Sequence, residues 1–189
     1  MVKRDQLSQD IAAHRVNLPL TDEAIAELRA GDFVELSGVL YVARDQAHAR
    51  LAALLEKGRP LPFDIRGETV YYAGPSPAPP GKVVGSIGPT TAKRMDPFTP
   101  ALLDAGLRGM IGKGPRSAEV VEAIVRVGAV YFVATGGAAA YLAGFVKAVE
   151  IVAYEDMGPE AIFRVRVEAL PVTVGIDSKG ESCLSPLKA

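Results

Sequence analysis

Cysteine is almost absent from this chain. Cys183 is the only one, six residues from the C-terminus, which excludes an internal disulfide and any metal cage built from several cysteines of this polypeptide. Histidine is nearly as scarce, with only His14 and His48. Neither stands in a metal-ligand spacing, so a zinc centre or a Ser-His-Asp triad would have to be assembled from distant positions. An excess of either charge is missing too: 21 basic against 22 acidic residues leave a formal net charge of −1. No global field therefore draws the chain to nucleic acid or to an anionic membrane, and any anion site must be local. The most apolar stretch, AVYFVATGGAAAYLAGFVKAV at 129–149, is interrupted by glycines and reads as the strand, turn and helix of a core rather than a membrane span. The first twenty residues carry charges throughout and contain no apolar h-region. No secretory signal is expected, and the expected compartment is the cytoplasm.

What is present suits one compact domain. With 189 residues, 49% of them hydrophobic, the chain is expected to form a single α/β domain over 1–189 with a mixed sheet. A helix is expected over 18–32, capped by Thr21 and closed by Gly31, followed by a strand over 33–44 bulged or turned at Gly38. The next helix covers 45–57, with Asp45 as its cap and Gly58 as its stop. A stiff proline- and glycine-rich connection around TVYYAG leads to a strand KVVGSI at 82–87, then to a short helix over 97–105 that tolerates Pro97 in its first turn. Strand 108–114, helix 117–128 between Ser117 and Gly128, strand 129–135 and a small-residue helix follow. The chain ends in two strands around a turn at 157–159 and a third near 171–176. Alternation of strand and helix from 82 onward predicts parallel pairs, with antiparallel pairing toward the ends.

Three junctions each place a cation just past a strand: VARD at 42–45, GPTTAKR at 88–94 and IGKGPRS at 111–117. Ligands of α/β sheets bind beyond the carboxyl ends of strands, so Arg44, Arg94 and Lys113 can converge on one anion. Against this stands the ordinary habit of strand-end cations, which is to be solvated. A fourth junction, ATGGAAA at 134–140, can offer backbone N–H groups to an anion or simply pack strand and helix tightly; it has neither a dinucleotide fingerprint nor a P-loop. Thr90 and Thr91 read either as turn residues beside Gly-Pro or as hydroxyls able to move a proton in a cationic field. Glu155, Asp156, Asp177 and Lys179 read as turn residues, and His48 as a helix-face residue rather than a catalyst.

Taken together and in order, LPLTDE, AGDFVELSG, YVARDQAH, GPTTAKRM, ATGGAAAYLA and YEDMGPEAIFRVRVEALPVTVGIDSKG, from about 17 to 180, resemble the β subunit, or C-terminal domain, of class I iron-sulfur fumarate hydratase and L-tartrate dehydratase. The resemblance implies a swivelling β/β/α domain in a two-subunit hydro-lyase, with a [4Fe–4S] cluster held by three cysteines of a separate α subunit and none bound by this chain. It implies that Arg44 and Arg94 bind the carboxylates of a small dicarboxylate, that Thr91 and Lys113 are further substrate contacts, and that Thr90, with Arg44, is catalytic. It also implies a hetero-oligomer with no nucleic-acid or membrane partner. Two departures stand out: Lys93 precedes the motif arginine where the family often has glycine, and the tail after Lys179 reads GESCLSPLKA in place of a more aromatic ending.

Overall fold

The structure, a computed structural model, describes residues 13–184. Seven strands and five helices follow one another as β1 (His14–Asn17), α1 (Asp22–Glu27), β2 (Phe33–Val42), α2 (Asp45–Glu56), β3 (Thr69–Tyr71), α3 (Thr99–Asp104), β4 (Gly109–Gly112), α4 (Ala118–Val127), β5 (Val130–Val133), α5 (Ala139–Ala143), β6 (Val146–Ala153) and β7 (Ile162–Ile176). Short 3₁₀ segments lie at Ala92–Met95 and Glu155–Glu160. The expected α/β domain with a mixed sheet is what forms.

The sheet closes on itself. Its order is β1-β2-β3-β4-β5-β7-β6, and β2 also pairs with β7, so β2, β3, β4, β5 and β7 make a ring with β1 and β6 attached to it. Strands β1 to β5 pair in parallel, while β7 runs antiparallel to β2, β5 and β6. Every antiparallel strand pairing thus involves the C-terminal β7, and the N-terminal β1–β2 pair is parallel.

Side-chain alternation along the strands sorts the apolar residues into two layers. Tyr71, Ile111, Val130 and Phe132 join Leu36, Leu40, Val165 and Val174 in one cluster. Their neighbours Val70, Tyr72, Met110 and Tyr131 pack instead with Leu51 of α2, Leu102 and Leu103 of α3, and Val120 and Ile124 of α4. Strands β3, β4 and β5 are buried on both faces, which explains their unbroken apolar runs.

Local signals set most boundaries. Thr21 Oγ1 accepts the Ala24 N–H at 3.2 Å and starts α1; that helix ends at Glu27, before the expected Gly31. Gly58 and Gly128, both left-handed at φ 61° and 67°, stop α2 and α4 as expected. A register shift between Leu36 and Gly38 confirms the bulge in β2.

Three expectations are corrected. KVVGSI at 82–87 is not a strand: both edges of β3 are taken, by β2 and β4, so the segment bonds to its own loop (Gly85 N–H to Ser76 O, 3.2 Å) and to α5 (Ile87 N–H to Ala139 O, 3.1 Å). The helix expected over 97–105 is shortened to Thr99–Asp104, with Pro100 rather than Pro97 in its first turn. The third C-terminal strand is the continuation of β7, which runs through Pro171 opposite Glu35 of β2.

Candidate active site

Parallel strands deliver their carboxyl ends to one rim of the ring. Arg44 follows β2, Gly74 follows β3, Lys113 follows β4, and Gly136 follows β5. The GPTTAKR segment is pinned to this rim by backbone bonds. Thr90 N–H donates to Tyr72 O at 2.6 Å, Lys113 N–H donates to Thr90 O at 3.2 Å, and Ala92 N–H donates to Lys113 O at 2.9 Å. Thr91 and Lys113 form a parallel bridge. The two threonines and the lysine are therefore neighbours by backbone geometry. A β-carbon on Gly136 would lie 3.7 Å from Lys113 Cδ, so the fourth junction borders the same cation.

The two arginines meet on one carboxylate. Arg94 Nε lies 2.8 Å from Asp45 Oδ1, and Arg44 Nε lies 3.6 Å from Asp45 Oδ2 and 2.9 Å from Glu160 Oε1. Arg44 Nε lacks hydrogen-bond alignment to either carboxylate despite these distances. Among the described residues, no hydrogen bond engages Nη1 or Nη2 of either arginine. The carboxylates thus approach the inner edge of each guanidinium and leave the fork that suits a bidentate anion unengaged. Gly74 makes room for this arrangement, because a β-carbon there would come within 3.0 Å of Arg44 Nη1.

Exposure follows the same plan. Arg44 and Asp45 side chains are a quarter exposed and Arg94 half exposed, while Thr91, Lys93 and Lys113 are exposed and Thr90 is intermediate. Lys93 lines a shallow recess with Asp96, Pro97, Pro100, Ser117 and Glu119. The structure therefore brings Arg44, Thr90, Thr91, Arg94 and Lys113 to one rim.

Several residues of this region carry no motif of their own in the sequence. Asp45, expected as a helix cap, is instead the first helical residue, with Arg44 at the cap position, and its carboxylate is what joins the arginines. Glu160 arrives from a turn far along the chain. The side chain of Arg116, inside the IGKGPRS junction, is fully enclosed and paired with Asp96 at 2.7 Å. His48 lies on the buried face of its helix; its Nδ1 lies 2.9 Å from Arg44 O, and its ring stands edge-on to Tyr72 at 5.1 Å between centroids. The turn reading holds for Asp177, whose buried carboxylate accepts the N–H groups of Ala30, Lys179 and Glu181, and for Asp156, which pairs with Arg50 at the surface.

The donor set does not fit a [4Fe–4S] cluster. Cys183 is exposed and donates to Val174 O at 3.2 Å, and among the described residues no grouping of three or more His, Cys, Asp or Glu is placed to hold a metal. No described helix is long and apolar enough to cross a membrane.

What fold and rim define is a mixed α/β domain with a ring of strands that gathers cations and hydroxyls at its carboxyl end. The chain belongs to the family described as Fumarase C-terminus, whose model matches residues 2–186. It is 43% identical over 156 residues to fumarate hydratase 1, mitochondrial, of Leishmania major, covering 82% of this chain and 28% of that protein. It is 42% identical over 149 residues to the aerobic class I fumarate hydratase of Escherichia coli K12, covering 78% of this chain and 27% of that protein. The chain thus spans less than a third of these fumarate hydratases. A protein named putative L(+)-tartrate dehydratase subunit beta, from Methanocaldococcus jannaschii, is 36% identical over 169 residues, covering 86% of this chain and 87% of that protein.

Proposed function

We propose that this chain is the β subunit of a two-subunit iron-sulfur hydro-lyase that reversibly hydrates fumarate to L-malate. One observation carries the reading: Arg44 and Arg94 share Asp45 at the rim where Thr90 and Thr91 are backbone-paired with Lys113. Two guanidinium forks and an ammonium suit a small dianion with a carboxylate at each end. The cluster is assigned to a cysteine-bearing α subunit, where an open iron would supply Lewis-acid chemistry.

In this proposal the chain's own residues bind, orient and move a proton. Arg44 and Arg94 grip one carboxylate through their free Nη edges, and Lys113 with Thr91 neutralises the other end. Thr90 acts as its alkoxide, stabilised by the cations of the rim: Oγ1 takes the proton from the carbon next to the hydroxyl-bearing carbon of malate as hydroxide leaves that carbon, and in the hydration direction the Thr90 hydroxyl gives the proton back as hydroxide adds. No described residue engages the Thr90 hydroxyl in a hydrogen bond, so it is free to face substrate. Closure of this domain over the partner, the movement implied by the swivelling architecture, would exclude water and strengthen each charge contact. The expected compartment is the cytoplasm.

A second reading, L-tartrate dehydration by the same site, is supported by the tartrate dehydratase β subunit, since this chain matches nearly the whole of it. Both readings are tested by combining the chain anaerobically with its cysteine-bearing partner and offering fumarate, L-malate and L-tartrate. Arg44→Ala and Arg94→Ala should each weaken dicarboxylate binding by roughly 2 to 5 kcal/mol, with the half-exposed Arg94 toward the lower end. Thr90→Ala should mainly lower turnover. Full activity in all three variants would refute the site and leave the chain a non-catalytic scaffold module.

A further inference from the structure

Behind the rim lies a polar assembly that the proposed chemistry does not use. The Arg116 side chain is fully enclosed, with its guanidinium carbon 4.9 Å from the centre of the Tyr131 ring and 5.3 Å from that of Tyr72. Its Nε donates to Asp96 Oδ1 at 2.7 Å and its Nη2 to Thr99 Oγ1 at 2.8 Å. Asp96 Oδ2 accepts the N–H of Ser117 at 2.8 Å, so one carboxylate binds both the side chain and the backbone of the loop after β4. Thr99 Oγ1 donates onward to Met95 O at 2.9 Å. Burial opposes the charge on Arg116, yet its neighbours Tyr72 and Asp96 hold its pKa above the ordinary arginine value, and it stays a cation.

This assembly joins the two loops that carry the proposed chemistry. Asp96 lies two residues beyond Arg94, and Arg116 three beyond Lys113. Tyr72, under the guanidinium, is also the residue whose carbonyl receives the Thr90 N–H. A desolvated ion pair is an expensive way to stabilise a fold, since apolar replacements of similar volume are often as stable. It does, however, fix two loops in one register.

We propose that Arg116, through Asp96, is a positioning residue that orients the backbone-paired Thr90–Lys113 unit against the two guanidinium forks. The proposal rests on the hydro-lyase reading above. Backbone bonds keep Thr90 and Lys113 together as one unit, while the arginine side chains have a separate anchor in Asp45 on α2 and in Glu160, so loosening the strut shifts that unit relative to the guanidinium forks. Because misplacement by about 1 Å can cost on the order of a hundredfold in rate, kcat should suffer more than KM.

The test uses the chain combined with its cysteine-bearing partner. Arg116→Lys keeps the charge but loses the planar fork shared by Asp96 and Thr99. The double variant Arg116→Met with Asp96→Asn removes both charges while the Asn side-chain oxygen still accepts the Ser117 N–H, so no buried charge is left unpaired. At least one of the two should fold with wild-type circular dichroism, show kcat at least tenfold lower, and keep KM within about threefold. Folded variants with wild-type kcat and KM, measured beside an Arg94→Ala control that has lost activity, would overturn the strut and leave the site intact. A fully active Arg94→Ala control would instead sink the site reading itself. Loss of folding in both variants would also overturn the proposal, because it would make the pair a requirement of the fold.

Discussion

His48 shows how a residue outside the proposed chemistry can still govern the molecule's response to acid. It is enclosed between Tyr72 and the start of α2, and burial pushes its pKa down from 6.5 to about 4, with the nearby Arg116 cation adding to the effect against the Arg44 carbonyl and Asp45. In its neutral form Nδ1–H donates to Arg44 O, while Nε2 is buried without a partner. The unfolded chain therefore takes up this proton before the folded one. Stability should be full above pH 6.5 and fall as pH drops toward about 4, by about 3 kcal/mol for this group. Urea unfolding across that window should show the decline, and His48→Gln should flatten it. An equally steep decline in the variant would mean that other groups control the acid limb. From sequence, His48 reads as a helix-face residue, because its helical spacing does not reveal that α2 lays this face against Tyr72.

Elements were legible where one local signal decides them. Caps and stops at Thr21, Gly58 and Gly128, and the bulge at Gly38, all stand where the residue types place them. The failures came where an unseen neighbour decides. KVVGSI has a strand's composition, but the sheet offers it no open edge; β7 continues through Pro171 because β2 runs beside it. Ala169, left-handed at φ 53°, donates its N–H to Ser37 Oγ at 2.9 Å across the irregular region. Gly38 sits at that irregularity with φ 127°, and a β-carbon there would meet Leu18 O at 2.6 Å. Gly38→Ala should cost about 1 to 3 kcal/mol through strain and collision together. Gly58→Ala, where nothing lies within 4 Å, should cost only the left-handed backbone penalty, about 1 to 2 kcal/mol at most. Denaturation midpoints of the two variants compare them directly; an equal loss would show that the β2 bulge relaxes freely.

At the scale of the whole molecule, ring closure turns four separate strand-end junctions into one rim. Charged motifs at 44 and 113 are visible in the sequence as candidates for convergence, because parallel strands place their carboxyl ends together; 90–94 is a candidate on the strength of a strand at 82–87 that does not form, and backbone bonds to Tyr72 and Lys113 bring it to the rim instead. Asp45, Glu160 and the Arg116–Asp96 pair are not visible there, since their roles depend on which loops the closed sheet makes adjacent. In the proposed hydro-lyase this rim is half of a catalytic site. The most direct test of that proposal is fumarate consumption, followed by ultraviolet absorbance under anaerobic conditions, with the chain alone, the cysteine-bearing partner alone and the two combined. Turnover is expected only in the combined sample, strongly reduced by Arg44→Ala in this chain. Turnover by the isolated chain without iron, or a combined enzyme indifferent to Arg44→Ala, would contradict the proposal.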